Sequence, residues 1–217
     1  IFRRHISKRM ANNATFSRRR FVKGLATGGA LAGLWPRQLW ALKSPGHPTV
    51  LAGTDFRLSI NETPVNFTGK PRSAVTVNGS LPAPLLRWRE GDTVNIRVDN
   101  AMPATSVFGR STSIHWHGII LPANMDGVPG MSFNGIAVGE SYQYRFKLGQ
   151  SGTYWYHSHS GFQEQAGLYG PIIIDAAEPE PFAYDRDYVV LLSDWTDLNP
   201  VDLFARLKKM SAHDNYY

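Results

Sequence analysis

Four of the seven histidines in this chain stand in two His-x-His pairs, His115-Trp116-His117 and His157-Ser158-His159. On an extended strand, side chains at i and i+2 leave from the same face, roughly 6–7 Å apart. Each pair is therefore a two-pronged imidazole fork, and two forks on neighbouring strands would make a four-nitrogen site. Imidazole ligates copper, zinc, iron and nickel. One such pair alone is more often packing or hydrogen bonding; two in one small domain favour metal binding by His115, His117, His157 and His159. The intervening residues suit the reading: Trp116 would turn into the core and Ser158 away from its fork. Gly118 and Gly161 leave room for close approach beside each fork. His5, His47 and His213 fall in leader, linker and tail, where a ligand role has no support.

The chain has no cysteine, which excludes a disulfide framework, thiolate zinc and thiol catalysis within it. Catalytic zinc usually takes three protein ligands and a water, so four histidines without a carboxylate would be an unusual zinc set. Copper or a multinuclear centre suits all-imidazole ligation better. A Ser/His/Asp arrangement through Ser158 or Ser160 is disfavoured, because neither serine sits in a nucleophile-elbow context.

The elements that must position the forks read as β. Phe56–Ile60, Thr93–Val98 and Tyr142–Phe146 alternate apolar with polar, as half-buried strands do. Ala74–Val77 runs into Asn78-Gly79, a turn signal, and Leu85–Trp88 follows a stretch punctuated by Pro82 and Pro84. Ser113–His117 and Gly152–His157 carry the forks, Leu121–Gly139 reads as a loop, and Gly167–Asp175 closes with a nearly continuous apolar strand. About eight strands over roughly 120 residues, separated by turn signals, predict an all-β Greek-key sandwich or barrel. Beyond it, Glu178-Pro179-Glu180-Pro181 reads as a linker, Tyr188–Ser193 as a strand and Val201–Met210 as a short helix. So short a segment cannot bury a core of its own. We therefore expect residues 178–217 to be a linker and the incomplete start of a second domain, in what reads as the N-terminal part of a longer protein.

The net charge of +6 is a property of the leader. Residues 1–43 hold ten of the 23 Lys and Arg and none of the 17 Asp and Glu, so the remainder is mildly acidic and no nucleic-acid partner is expected. Ser17-Arg18-Arg19-Arg20-Phe21-Val22-Lys23 resembles the twin-arginine export signal, with Val22 where leucine is usual. The weakly apolar run Gly24–Trp35 is too short for a bilayer, which needs roughly 20 apolar residues, and no stable membrane span is expected. The competing reading, a basic amphipathic helix, is opposed by the density of glycine. Residues 1–43 are thus expected to be a disordered leader with an export signal, placing the mature protein in the periplasm.

His115-Trp116-His117-Gly118, Asp126-Gly127-Val128-Pro129 and Gly152–His159 together resemble the first cupredoxin domain of multicopper oxidases. Asn78–Pro84, Trp88–Asp92, Leu121–Asp126 and Ser160–Gln165 bring the resemblance closest to the copper-resistance (CopA-type) branch. The resemblance implies a cupredoxin-like β-sandwich over residues 44–177, with residues 178–217 leading into a second cupredoxin domain. It implies that His115 binds a type 2 copper, that His117 and His157 share a type 3 copper, and that His159 binds the other type 3 copper. Asp126 matches an acidic residue that helps supply protons to oxygen intermediates; an ordinary Asp-Gly turn residue is the alternative. The implied activity is one-electron oxidation of a reductant, Cu(I) in copper resistance, coupled to reduction of oxygen to water. The implied partners are copper ions, oxygen, Cu(I) or a small reductant, and the twin-arginine export machinery. The family's type 1 copper needs a cysteine that this chain lacks, and the rest of its trinuclear ligands come from a later domain. The chain alone is therefore expected to hold half a copper cage. The alternatives are a periplasmic copper-binding module without turnover and a laccase-like phenol oxidase as parent.

Overall fold

The computed structural model describes residues 49–179 and 181–210. The export-signal reading, the leader and His5, His47 and His213 lie outside them. Among the described residues the chain forms eleven strands and one α-helix. The strands are β1 (Val50–Ala52), β2 (Asp55–Val65), β3 (Arg72–Val77), β4 (Leu85–Arg89), β5 (Thr93–Asn100) and β6 (Ser111–Thr112). They continue with β7 (His115–His117), β8 (Ile136–Ala137), β9 (Ser141–Lys147), β10 (Gly152–His157) and β11 (Tyr169–Asp175), and α1 is Pro200–Leu207.

Two sheets form a sandwich, one ordered β1-β4-β11-β10-β7 and the other β3-β2-β5-β9, with β6 and β8 as a small side ribbon. The alternation read from sequence decides which side chains meet. Val94, Ile96 and Val98 of β5 and Tyr144 and Phe146 of β9 are buried, with polar neighbours between them facing out. Trp88 and Trp116 answer from the other sheet: Trp116 lies 5.2 Å from Tyr144 and 5.6 Å from Phe146 between ring centroids, and Trp88 lies 6.0 Å from Phe146. Aromatic pairs at such spacings add about 0.5–1.5 kcal/mol each beyond the area they bury. The predicted Asn78-Gly79 turn is present, with positive φ at both residues, and the Asn78 side chain accepts from the Ser59 N–H.

Several elements differ from the sequence reading. The run Ser113–His117 is not one strand: β6 pairs with β8, β7 pairs with β10, and Ser113 and Ile114 are buried where the chain crosses between them. The loop 121–139 contains a short 3-10 turn at Ala123–Met125 and strand β8. β1 is short and largely exposed, and owes its existence to parallel pairing with β4. Tyr188–Ser193, expected as a strand, pairs with no strand among the described residues. Tyr188, Val190 and Leu192 stay exposed, since an apolar alternating run becomes a strand only where a partner edge satisfies its backbone.

The predicted helix is present as α1. The Asn199 carboxamide oxygen caps it by accepting from the Val201 N–H at 2.9 Å, and Pro200 opens its first turn. The segment around α1 lies against the sandwich. Trp195 meets Phe67 at 5.0 Å, Phe204 meets Phe162 at 5.1 Å, and the Arg72 guanidinium donates to the Asp197 carbonyl. No helix among the described residues is long and apolar enough to cross a membrane.

Candidate metal centre

The forks meet because of the register between β7 and β10. These strands are antiparallel, with His157 opposite His115, Tyr156 opposite Trp116 and Trp155 opposite His117. Period two then sorts the side chains: Trp116 and Tyr156 go into the core at 0% exposure, and the imidazoles go to the other face. His159 follows the end of β10, and its N–H donates to the Ser113 hydroxyl at 3.0 Å. The ring of His115 stands 5.5 Å from His117, 5.4 Å from His157 and 4.8 Å from His159. All four histidines singled out by spacing are brought together.

The donor atoms fall into two sets. His117 Nδ1 and His157 Nε2 are 3.1 Å apart. Two nitrogens bound to one ion at about 2.0–2.1 Å, at angles from right to tetrahedral, stand about 2.8–3.4 Å apart, so this pair already has the spacing of two ligands on one ion. One nitrogen from each of His115, His157 and His159 also lies within 4.8 Å of the others. An all-imidazole donor set at these separations fits copper. Trp155 stacks on His157 at 4.0 Å and 14° and tilts against His117 at 5.1 Å, limiting rotation of both rings.

Two further ring nitrogens, Nδ1 of His115 and Nδ1 of His157, face oxygen atoms. His115 Nδ1 donates to the Asp126 backbone carbonyl at 2.8 Å, with the Asp126 carboxylate at 3.4 Å. Asp126 therefore adjoins the forks, and its placement depends on Gly127. That residue has φ +75°, and a Cβ there would stand 1.8 Å from the Ile114 carbonyl oxygen. His157 Nδ1 faces the Glu164 carboxylate at 2.6 Å and the Ser158 carbonyl at 3.2 Å. Hydrogen on Nδ1 leaves Nε2 of each ring free to ligate.

Burial pushes the His157 pKa down to about 4, and the neighbouring imidazoles push in the same direction against the Ser158 carbonyl. Burial also lowers His159, with His115 adding to the effect. Both are thus neutral at physiological pH, the state a metal requires.

Sequence reasoning passed over the polar scaffold beneath the site. Gln163 is fully buried; its oxygen accepts from Thr112 and Ser158, and its amide donates to the carbonyls of Phe108 and Ser111. Ser113 links the His159 backbone to the Ser160 hydroxyl at 2.9 Å. Glu164 was overlooked for the same reason: its partner, His157, is reached only through the fold of the intervening loop.

Residues 59–179 match the family model described as multicopper oxidase. The chain is 61% identical to a copper resistance protein A homolog of Pseudomonas syringae pv. tomato, over 92% of this chain and 33% of that protein. It is 57% identical to copper resistance protein A of Escherichia coli, over 92% of this chain and 32% of that one. The crystal structure of a multi-copper oxidase from Pseudomonas thermotolerans aligns with a TM-score of 0.53 and 34% identity, covering 62% of this chain and 32% of that chain. The chain thus spans about a third of the length of these relatives. With two imidazole forks on one face of a cupredoxin-like sandwich and a family match over more than half its length, the chain belongs to the multicopper oxidase family.

Proposed function

We propose that this chain is the N-terminal part of an exported multicopper oxidase that oxidises Cu(I) in copper resistance and reduces oxygen to water. In this reading residues 1–43 carry the twin-arginine signal to the periplasm, residues 44–177 are the first cupredoxin domain, and residues 178–217 lead into the second. His117 and His157 hold one type 3 copper, His115 the type 2 copper and His159 the other type 3 copper. The observation that carries the reading is the 3.1 Å separation of His117 Nδ1 and His157 Nε2, which suits two ligands of one ion. The relatives named for copper resistance support the substrate class.

Bound copper would supply one-electron redox chemistry and a place for oxygen. The chain's own residues orient the ligands: Asp126 holds the His115 ring through its carbonyl and keeps a carboxylate 3.4 Å from Nδ1, where it can hold or deliver a proton. Without cysteine, this chain cannot form a thiolate-bound blue copper site. Its own activity is accordingly copper binding, and turnover belongs to the longer protein.

The test is a copper titration of the purified chain with ligand variants. His117→Ala and His157→Ala should each lose copper, and wild-type binding by both would overturn the assignment. Oxygen uptake with Cu(I) or a phenol as donor separates binding from turnover. Steady consumption by this chain alone would contradict the division of labour proposed here.

A further inference from the structure

A neutral imidazole can ligate through Nε2 only if its proton sits on Nδ1. In water the opposite tautomer is preferred, so a ligand of this kind needs an acceptor at Nδ1. His157 has two. The Ser158 carbonyl, at 3.2 Å, belongs to the next residue and moves with the histidine's own backbone. The Glu164 carboxylate, at 2.6 Å, arrives from a separate turn and is the shorter contact, setting an acidic oxygen directly beside Nδ1. That turn is anchored next door by Gln163, whose side chain makes four hydrogen bonds to residues on both sides of the site.

Resting on the copper reading above, we infer that Glu164 is the positioning residue for His157, fixing its Nδ1–H tautomer and ring rotation so that Nε2 faces the copper shared with His117. Glu164 touches neither copper nor substrate; it acts through the imidazole. Trp155 fixes the plane of the same ring by stacking, leaving the choice between its two flipped orientations to Glu164. The Glu164 side chain is 48% exposed, so replacing it removes the acceptor without opening the core.

The experiment uses the purified chain and Glu164→Ala, Glu164→Met and Glu164→Gln variants. Met keeps the bulk without an acceptor, and Gln keeps a carbonyl acceptor without the charge. Long-range nitrogen–proton NMR of the copper-free chain reads the His157 tautomer directly. Wild type and Glu164→Gln should hold the proton on Nδ1, whereas Ala and Met should shift it toward Nε2. Cu(I) affinity, measured by chelator competition, should fall about 10–100-fold in Ala and Met and recover largely in Gln, with unchanged thermal midpoints throughout. An unshifted His157 tautomer in Ala and Met would overturn the inference, as would a Gln variant as weak as Ala. A wild-type chain that binds no copper would instead overturn the function proposed above, while the tautomer measurement still decides the role of Glu164.

Discussion

The His157 ring carries a pH dependence of its own. Its pKa is 6.5 in the absence of the fold and about 4 in the folded copper-free protein. Between those values the unfolded chain binds a proton that the native state refuses, so stability falls as pH drops from above 6.5 through about 4. Below that window both states are protonated and His157 adds no further loss. Denaturant midpoints of the copper-free protein should decline across this interval, and less steeply in His157→Ala. Copper binding should weaken as the ring protonates, because ion and proton compete for the same lone pairs. At this scale the sequence was most informative where chemistry is local. The i, i+2 spacing of the forks is a property of the strand itself, whereas Glu164 and the Asp126 carbonyl reach their imidazoles through turns whose paths are set by tertiary contacts.

Strands β7 and β10 align the forks, and the loop after β10 keeps them aligned. Gln163 is central to that loop: Gln163→Leu would remove four hydrogen bonds, two of them buried and two part-buried, with a buried group left unpaired costing about 1–3 kcal/mol. We expect a loss of at least about 3 kcal/mol in unfolding free energy, together with lowered copper stoichiometry, read by calorimetry and metal analysis. Gly127→Ala tests the opposite wall. With φ +75° and the Ile114 oxygen in the way, a Cβ forces the Asp126 turn to move. Strain of this kind costs about 1–3 kcal/mol, and the Asp126–His115 contact should open, visible as altered His115 ring resonances. The strands that alternate apolar and polar residues were legible because burial on one face imposes period two. The break between β6 and β7 was not, because Ser113 and Ile114 are both buried and the local pattern has no marker for a change of pairing partner.

Taken as a whole, the molecule stands on an aromatic centre shared by the two sheets, with Trp88, Trp116, Tyr144, Phe146 and Tyr156 all buried. Trp116→Ala should cost about 3–5 kcal/mol and show as a lowered thermal midpoint. The segment beyond residue 180 was read correctly for its helix, whose Asn199 cap and Pro200 are local signals, and incorrectly for Tyr188–Ser193, which needs a neighbouring edge that sequence alone cannot supply. The pairing of β7 with β10 has a wider consequence. Register in a two-sided sheet is a choice of parity, and here one parity sends tryptophan and tyrosine inward and every imidazole of the pair outward. A one-residue slip would drive histidine into the aromatic centre and put Trp116 where a ligand should be. The decision that makes a sound core and the decision that gathers the four imidazoles are therefore a single decision, and a copper titration of this chain should count the molecules that have folded correctly.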